Sequence, residues 1–520
     1  MLAIPSLKAD VSAGIVVALV ALPLCLGIAL ASGVPLLAGL VSGIVGGLVV
    51  AWLSGSRVSV SGPAAGLVVI VIDAIATLGS FEAFLVATLL AGVLQCLLGM
   101  LRAGRLAACV PSPVIKGMLA AIGITLIIKQ LPLALGYASS THALQHLPDD
   151  LGQHSAWLDA LSTVTWDATI VALVSLALLF AWEKPWLKRL PLIGQLPAPL
   201  VVVAFGVAYH AVAAALDPAT ALADFQRVRL PQVNGIEHLL QQLAVPDWSV
   251  LKRWDVYVVA ATLAVVASLE TLLCLEAADK LDPQKQASPP NRELLAQGTG
   301  NIVAGLFGGL PITAVIVRTS ANINAGARTR LSAMIHGVLL LASVLALAQW
   351  MSWLPLAALA AILLHTGAKL AKPALFVHAW RQGPAASVPF MVTLVAILCT
   401  DLLVGIVIGL GCSLLFLVHA QTRGALTLTS HGGAHLLRLN KDVPFFSKSL
   451  LRQYLAQINP GDSLVIDGSR CSYLDRDIRE MLEDFAGEAS ERNIDIEWRH
   501  VPSPTTGMPV LGWQRSSQRS

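Results

Sequence analysis

The sequence predicts an all-α polytopic membrane protein that carries a small α/β domain at its C-terminal end. Of its 520 residues, 56% are hydrophobic and 12% are charged, with a mean hydropathy of +0.74. An ordinary soluble domain has about 25% charged residues. Apolar runs of about 20 residues, long enough to cross a bilayer as helices, recur from Val11 to Ala420. Beyond Arg423 they give way to short alternating and amphipathic segments.

The charge balance and the cysteine pattern exclude several classes of protein. The formal net charge is only +3 and no Lys/Arg tract is present, so a nucleic-acid partner is not expected. The seven cysteines lie mostly in apolar runs without CxxC spacing, which argues against a disulfide framework. The sequence has no nucleophile elbow, P-loop or paired acid–base set. Neither an enzyme nor a cofactor is therefore predicted.

A His/Asp-rich stretch at 142–154 raises the question of a metal site. His142 and His146 are four residues apart, a spacing that can ligate a metal on a helix. Pro148 and the surrounding composition argue against a helix there. A solvated loop is therefore expected, and no metal is predicted.

Fourteen apolar segments are predicted to span the membrane. They lie near residues 11–31, 36–53, 64–78, 82–101, 114–132, 166–182, 197–215, 255–275, 292–308, 313–323, 330–350, 354–367, 388–402 and 403–420. Lys and Arg collect in alternate connections, as the positive-inside rule requires when the N-terminus is cytoplasmic. We therefore expect a prokaryotic-type inner membrane with both termini in the cytoplasm.

Composition divides the chain into three regions. Residues 1–423 form the predicted membrane domain, with repeats at about 1–215 and 250–423. Residues 424–505 alternate strand-like runs with charged amphipathic helices and predict a small cytoplasmic α/β domain. Residues 506–520 have the composition of a disordered tail.

Two of the fourteen segments are broken in the same way. The third begins at VSVSGPAAG, and the tenth, about 250 residues later, begins at GGLPITAVIV. Non-helical backbone inside a bilayer must be shielded by protein or line a cavity. Ordinary kinks are the alternative, but breaks at matching positions of two halves are typical of inverted-repeat transporters. Two helix N-termini would then face each other and offer free N–H groups to an anion.

Glu270 and Arg318 are charged residues inside predicted spans. An ionised carboxylate facing lipid costs at least about 3 kcal/mol, so Glu270 is expected to face the protein interior. There it either couples proton movement to anion movement or serves as a structural hydrogen-bonding group. Arg318 either adds a cationic field to the site, pairs with Glu270, or reaches the cytoplasmic interface.

The broken motifs closely resemble those of the sulfate permease (SulP) family of anion transporters, which includes the animal motor protein prestin. The resemblance covers nearly the whole chain and rests on VSVSGPAAGLVVIV, PSPVIKGMLAAIGI, ASLETLL with AADKLD, and GNIVAGLFGGLPITAVIVRTSANINAGARTRLSAMIHG. It implies a seven-plus-seven inverted-repeat membrane domain shared with uracil permeases, followed by a cytoplasmic STAS domain. It also implies homodimers and elevator-like movement of a core that carries the substrate.

Carried over by position, the resemblance also implies the site residues. The anion would meet the backbone near Ser61, Gly62, Pro63, Ala64 and Ala65 and near Ala314, Val315, Ile316 and Val317, with Leu24 and Ile28 lining the pocket. Glu270 matches an acid implicated in cation coupling. Cys274 and Ile316 stand where sodium-using relatives supply hydroxyls, so a proton is favoured over sodium. Arg476 stands where STAS domains often have Ser, which argues against phosphoryl-type regulation there.

The sequence therefore predicts a secondary active transporter of an inorganic anion, sulfate or bicarbonate, coupled to protons. The motif INAGARTRLSAMIHG resembles that of members that occur with carbonic anhydrase, so an association with that enzyme is a further expectation. Two alternatives stay open. One is a dicarboxylate or nucleobase carrier on the same fold, and the other is a non-transporting membrane sensor that signals through its STAS domain.

Overall fold

The computed structural model describes residues 4–104, 111–136, 164–184, 197–216, 222, 226–228, 236–346, 352–400, 402–422 and 424–502. The stretch at 142–154 and the predicted tail at 506–520 lie outside the described residues. Packing divides the chain into two compact units, Met1–Leu410 and Gly411–Ser520. The division falls inside the last long apolar helix, which continues to Thr422.

The first half of the large unit is built from helices that overlap the predicted segments. They are α1 (Ile4–Ala31), α2 (Leu36–Leu53), α3 (Ala65–Leu78), α4 (Phe81–Met100), α5 (Ser112–Ala134), α6 (Trp166–Trp182) and α7 (Ala198–Leu216). α2 contains a π-helical turn at Gly46–Val50, and α3 begins with a 3₁₀ turn at Ala65–Leu67.

The second half adds long helices and two short ones that hydropathy did not predict. They are α8 (Ile236–Gln241), α9 (Trp254–Leu281), α10 (Pro290–Leu306), α11 (Ile316–Asn324), α12 (Leu331–Ala346), α13 (Leu356–Leu370), α14 (Pro373–Arg381), α15 (Pro384–Cys399) and α16 (Leu402–Thr422). α8 and α14, the unpredicted pair, are too short to cross a bilayer. Among the described residues, seven helical spans are long and apolar enough to cross a membrane.

Glycines allow several helix pairs to pack closely. A Cβ atom on Gly92 of α4 would lie 2.6 Å from the carbonyl oxygen of Gly298 on α10. A Cβ on Gly47 of α2 would lie 2.5 Å from the Cα of Gly337 on α12. Small residues at such contacts are typical of membrane bundles, because close backbones maximise van der Waals packing.

Two three-residue strands pair with each other inside the large unit. β1 (Ser61–Pro63) pairs antiparallel with β2 (Ile312–Ala314), and Gly62 is opposite Thr313. All six strand residues are buried. Because β1 leads directly into α3 and β2 into α11, the pairing brings the starts of both helices to the same place.

The C-terminal unit is an α/β fold with one sheet. Its elements are β3 (Leu426–His431), β4 (Ala434–Leu439), α17 (Lys448–Leu455), β5 (Ser463–Asp467), α18 (Arg476–Ala489) and β6 (Asp495–Arg499). The strand order is β3-β4-β5-β6, with β3 antiparallel to β4 and the other neighbours parallel. Alternating residues such as Leu437, Leu464 and Ile466 face the helices and form the core.

Candidate functional site

Buried polar side chains hydrogen-bond to the paired strands β1 and β2 and hold them in place. Asn301 on α10 brackets Ile312: its Oδ1 accepts from the Ile312 amide at 2.6 Å, and its Nδ2 donates to the Ile312 carbonyl at 3.1 Å. The same Nδ2 donates to Gln95 Oε1 on α4 at 2.6 Å. Gln95 in turn donates to Ser268 Oγ on α9 at 3.3 Å. The non-helical backbone therefore keeps hydrogen-bond partners within the membrane unit, as a bilayer interior requires.

Strand β1 is also held from its other side. The amide of Val60 donates to Thr319 Oγ1 on α11 at 3.0 Å. Ser61 Oγ accepts from Gln297 Nε2 on α10 at 2.7 Å. Side chains from α10 and α11 thus fix the position of the strand that leads into α3.

Helix α3 begins without a side-chain cap. Its N-cap residue, Ala64, has an extended backbone (φ −110°, ψ 136°) and no side-chain acceptor. The first hydrogen bond runs from the Leu67 amide to the Ala64 carbonyl at 3.2 Å. The amides of Ala65 and Gly66 therefore have no partner within the helix. They lie at the positive end of the helix dipole, which is a suitable environment for an anion.

More of the backbone amides at the start of α11 have hydrogen-bond acceptors. Four backbone amides, from Ala314 to Val317, are predicted to meet the anion here. Two of them donate to protein acceptors: Ala314 to Thr271 Oγ1 at 3.3 Å, and Val315 to the Val60 carbonyl at 3.0 Å. The Ile316 amide lies near the sulfur of Cys274. Val317 follows in the first turn, where amides lack intrahelical partners, and is 39% exposed. The α3 start thus offers the freer pair of amides.

A narrow crevice, too tight in this structure to admit a water molecule, lies beside the start of α3. Pro63 and Ala64 line it together with Ile28 and Ser32 of α1, while Leu67, Val71, Leu310 and Pro311 complete its wall. Leu24, one turn before Ile28, packs instead in an apolar cluster with residues of α5, α6 and α13. Of the two predicted pocket residues on α1, Ile28 is therefore the one beside α3.

Glu270 on α9 faces the first turn of α3. A Cβ atom on Gly66 would stand 2.7 Å from Glu270 Oε1 and 3.0 Å from Oε2. Oε2 is buried and has no hydrogen-bond partner among the described residues. Cys274 lies one turn further along α9, with its sulfur near the Ile316 amide. α9 therefore contacts the first turns of both α3 and α11.

Arg318 is fully buried behind β1. Its Nη1 is the atom nearest to a Cβ built on Gly62. Because successive strand residues point to opposite faces, Arg318 lies on the face opposite to Pro63 and the crevice. Its neighbours include Cys25 and His336, and none of its nitrogens makes a hydrogen bond of good geometry to a described residue. It neither hydrogen-bonds Glu270 nor reaches the interface, two of the three roles considered from sequence.

Sequence reasoning missed the amide side chains of α10. Gln297 and Asn301 are both almost completely buried and lie one turn apart on the same helix face. Two amides spaced in this way inside an apolar span were the available signal. Asn322 on α11 donates from Nδ2 to the Val58 carbonyl at 2.9 Å.

Comparison with known proteins establishes the family. A family model described as the sulfate permease family matches residues 7–416. The chain belongs to the sulfate permease family. It is accordingly an integral multi-pass membrane protein, and the members it resembles are anion transporters and not enzymes.

Relatives of this chain include transporters of different anions. A putative sulfate transporter, YvdB, of Bacillus subtilis is 28% identical over 419 residues, which cover 79% of this chain and 74% of YvdB. The bicarbonate transporter BicA of Picosynechococcus is 28% identical over 423 residues, which cover 78% of this chain and 69% of BicA.

Solved structures agree with the fold. The transmembrane domain of a cyanobacterial BicA superposes with a TM-score of 0.64 at 26% identity, covering 78% of this chain and 98% of that domain. The murine solute carrier 26 family member A9, in an inward-facing state, gives a TM-score of 0.76 at 16% identity and covers 97% of this chain and 87% of that one. The second likeness concerns the fold alone.

Proposed function

We propose that this protein is a secondary active transporter of a small inorganic anion, sulfate or bicarbonate, and that it couples the anion to protons. The observation that carries the proposal is the uncapped start of α3 beside Glu270, where the amides of Ala65 and Gly66 have no partner within the helix. Relatives named as sulfate and bicarbonate transporters support the same substrate class.

The anion binds at the end of the crevice where α3 begins. It accepts hydrogen bonds from the amides of Ala65 and Gly66, while the amide of Val317 approaches from α11. The small side chain of Ala64 permits close contact with the backbone, and Ile28 forms an apolar wall. Oriented amides at helix N-termini favour negative charge without a fixed cation in contact.

Glu270 links the anion to a proton. An ionised carboxylate against the first turn of α3 repels an anion bound there, because both are negative and the site is largely removed from water. Protonation removes this repulsion. Each ligand then raises the affinity for the other, as linkage requires, and the two move together.

Arg318 and Cys274 shape selectivity in different ways. Arg318 contributes positive potential through the thickness of β1 without contacting the anion, which offsets part of the cost of bringing an anion into the protein. Cys274 presents a thiol where a sodium site needs oxygen, and hard cations such as sodium bind oxygen ligands. We therefore expect transport to be independent of sodium.

The number of spans, their repeat, their movement and the assembly are proposed from the resemblance to the family. We infer fourteen spans in two inverted repeats, an elevator-like movement of the part that includes α3 and α11, a homodimer, and an inner-membrane location with both termini cytoplasmic. The C-terminal α/β unit is assigned as a STAS domain. An association with carbonic anhydrase accompanies the bicarbonate version of the proposal.

A substrate panel in proteoliposomes tests the proposal. Labelled sulfate, bicarbonate, fumarate and uracil are offered with and without an inward proton gradient, and with sodium replaced by N-methylglucamine. We expect saturable uptake of sulfate or bicarbonate that responds to the proton gradient and not to sodium. Uptake of only uracil or fumarate would contradict the substrate class. No flux of any solute would favour a STAS-linked membrane sensor.

A further inference from the structure

Helix α14 lies between two apolar helices and is too short to cross a bilayer. It begins at Pro373, three residues after the end of α13, and α15 begins at Pro384, three residues after the end of α14. A nine-residue helix spans about 14 Å, roughly half of the hydrocarbon thickness. Lys372 just before α14 and Arg381 at its end are both exposed, and charged side chains are costly in hydrocarbon, so α14 belongs at the boundary between lipid and water.

The two sides of α14 have different environments. On the protein side, Ala379 is buried and the ring of Phe376 packs edge-on against Phe390 of α15, with centroids 5.2 Å apart. On the other side, Val377 and Trp380 are 51% and 77% exposed and lie three residues apart on one face. This apolar pair is anchored firmly and has no protein cover among the described residues.

Basic residues frame the exposed apolar pair. Lys372 precedes the helix, His378 lies within it and Arg381 ends it, and all three are exposed. Neither Lys372 nor Arg381 forms an ion pair with a described residue; the nearby carboxylate of Glu183 is already engaged by Lys369 at 2.5 Å. The sequence contains no Asp or Glu at all from residue 294 to residue 400. This surface thus combines a Trp with an excess of positive charge.

We propose that α14 is a docking surface for anionic phospholipid, with Val377 and Trp380 inserted among the headgroups and Lys372 and Arg381 bound to lipid phosphates. Trp prefers the interfacial region because its ring is both apolar and polar. Basic residues next to a membrane are attracted to anionic lipid on the cytoplasmic side. The occupant is a lipid surface because an exposed Trp beside exposed Lys and Arg, between two apolar helices, matches the chemistry of the lipid–water interface.

Quenching of Trp380 fluorescence by brominated lipid tests this surface without any measurement of transport. Full-length protein is reconstituted in phosphatidylcholine in which an equal mole fraction is replaced by brominated phosphatidylglycerol or brominated phosphatidylcholine. The signal of Trp380 is the difference between the unsubstituted chain and Trp380→Phe. We expect both lipids to quench it, with phosphatidylglycerol stronger by about twofold or more at low salt.

The lipid preference must depend on the two basic residues. In Lys372→Gln/Arg381→Gln, the excess quenching by phosphatidylglycerol is lost, whereas Lys252→Gln/Lys285→Gln, with the same change in charge at exposed residues elsewhere, retains it. Equal quenching by both lipids in the unsubstituted chain would overturn anionic recognition. No quenching of Trp380 would overturn the lipid contact itself and would indicate that protein, such as a second copy of the chain, covers α14.

Discussion

The carboxyl group of Glu270 and the backbone of Gly66 face each other, with only 2.7 Å between Oε1 and the place where a Cβ of residue 66 would lie. A carboxyl on α9 therefore lies directly against the first turn of α3. Glycine permits this approach because any side chain would occupy the same volume. The contact places the proposed proton site directly beside the proposed anion site.

Gly66→Ala is expected to lower anion uptake by on the order of tenfold, because the new methyl group displaces the Glu270 carboxyl and narrows access to the amides of α3. Uptake rates in proteoliposomes at matched protein content measure the effect. Gly411→Ala is the control, since a Cβ there meets no atom within 4 Å. Equal, near-normal uptake by both variants would argue against a functional role of this contact.

Glu270→Gln is expected to abolish uptake driven by a proton gradient while anion binding is retained and becomes independent of pH. Glutamine resembles the protonated acid, so the repulsion is removed but no proton is carried. Binding is measured by anion-dependent thermal stabilisation and transport by gradient-driven uptake. Glu276→Gln, at an exposed residue paired with Lys280, leaves both unchanged. Normal pH-driven uptake by Glu270→Gln would make the acid structural.

Asn301→Ala is expected to destabilise the protein by about 3 kcal/mol, since it leaves the amide and carbonyl of Ile312 without the partner they share. Gln95 also loses its bond to the Asn301 amide. The midpoint of denaturation in a detergent titration measures the loss. Asn324→Ala, at an exposed position, serves as control. Identical midpoints for the two variants would show that the bracket on β2 contributes little.

The C-terminal unit contains a carboxylate whose stabilising effect depends on pH. A hydrogen bond from His435 Nε2 at 2.9 Å, with another from the Asn459 amide at 2.8 Å, lowers the pKa of Asp462 below its usual value of about 3.9. A carboxylate with a lowered pKa stabilises the fold at pH values above the pKa that it has in the unfolded chain. This stabilisation is lost as the pH falls through the pKa that it has in the folded chain.

Asp462→Asn is therefore expected to reduce protection of the β4 and β5 amides at neutral pH and to weaken the further loss of protection below about pH 4. Hydrogen exchange of the full-length chain, corrected for the intrinsic effect of pH, measures both. Asp484→Asn, on an exposed part of α18, is expected to behave like the unsubstituted protein. If protection in Asp462→Asn fell at low pH as it does in the unsubstituted chain, the Asp462 carboxylate would not be the source of this pH dependence.

Hydropathy and the Gly/Pro breaks were sufficient to predict the long helices and the two places where a broken segment starts a short helix, because both are local properties of sequence. The partners of those starts could not be predicted in this way. The bond between the Ala314 amide and Thr271, for example, depends on how α9 packs against β2. The sequence predicted that the amides of both half-helices meet the anion equally, whereas hydrogen bonds to Thr271 and Val60 occupy two of the amides at the α11 start and none of those at the α3 start.

Arg318 and α14 illustrate two further limits. The position of Arg318 behind β1 depends on which strand face Gly62 presents, and that register is set by a strand 250 residues away. α14 was overlooked because hydropathy windows of about 20 residues average its nine residues with the helices around it. Neither feature could be predicted without knowing how distant segments of the chain pack together.

Anion uptake by Ala64→Asp, compared with Ala64→Asn, tests the central claim most directly. Both substitutions supply an N-cap acceptor to a helix start that now has none and add nearly the same volume at a buried position, so the difference between them isolates the charge. Only aspartate places a fixed carboxylate where the anion is proposed to bind. The account predicts that Ala64→Asp loses saturable sulfate and bicarbonate uptake while Ala64→Asn keeps a measurable part of it; full uptake by a folded Ala64→Asp protein would contradict it.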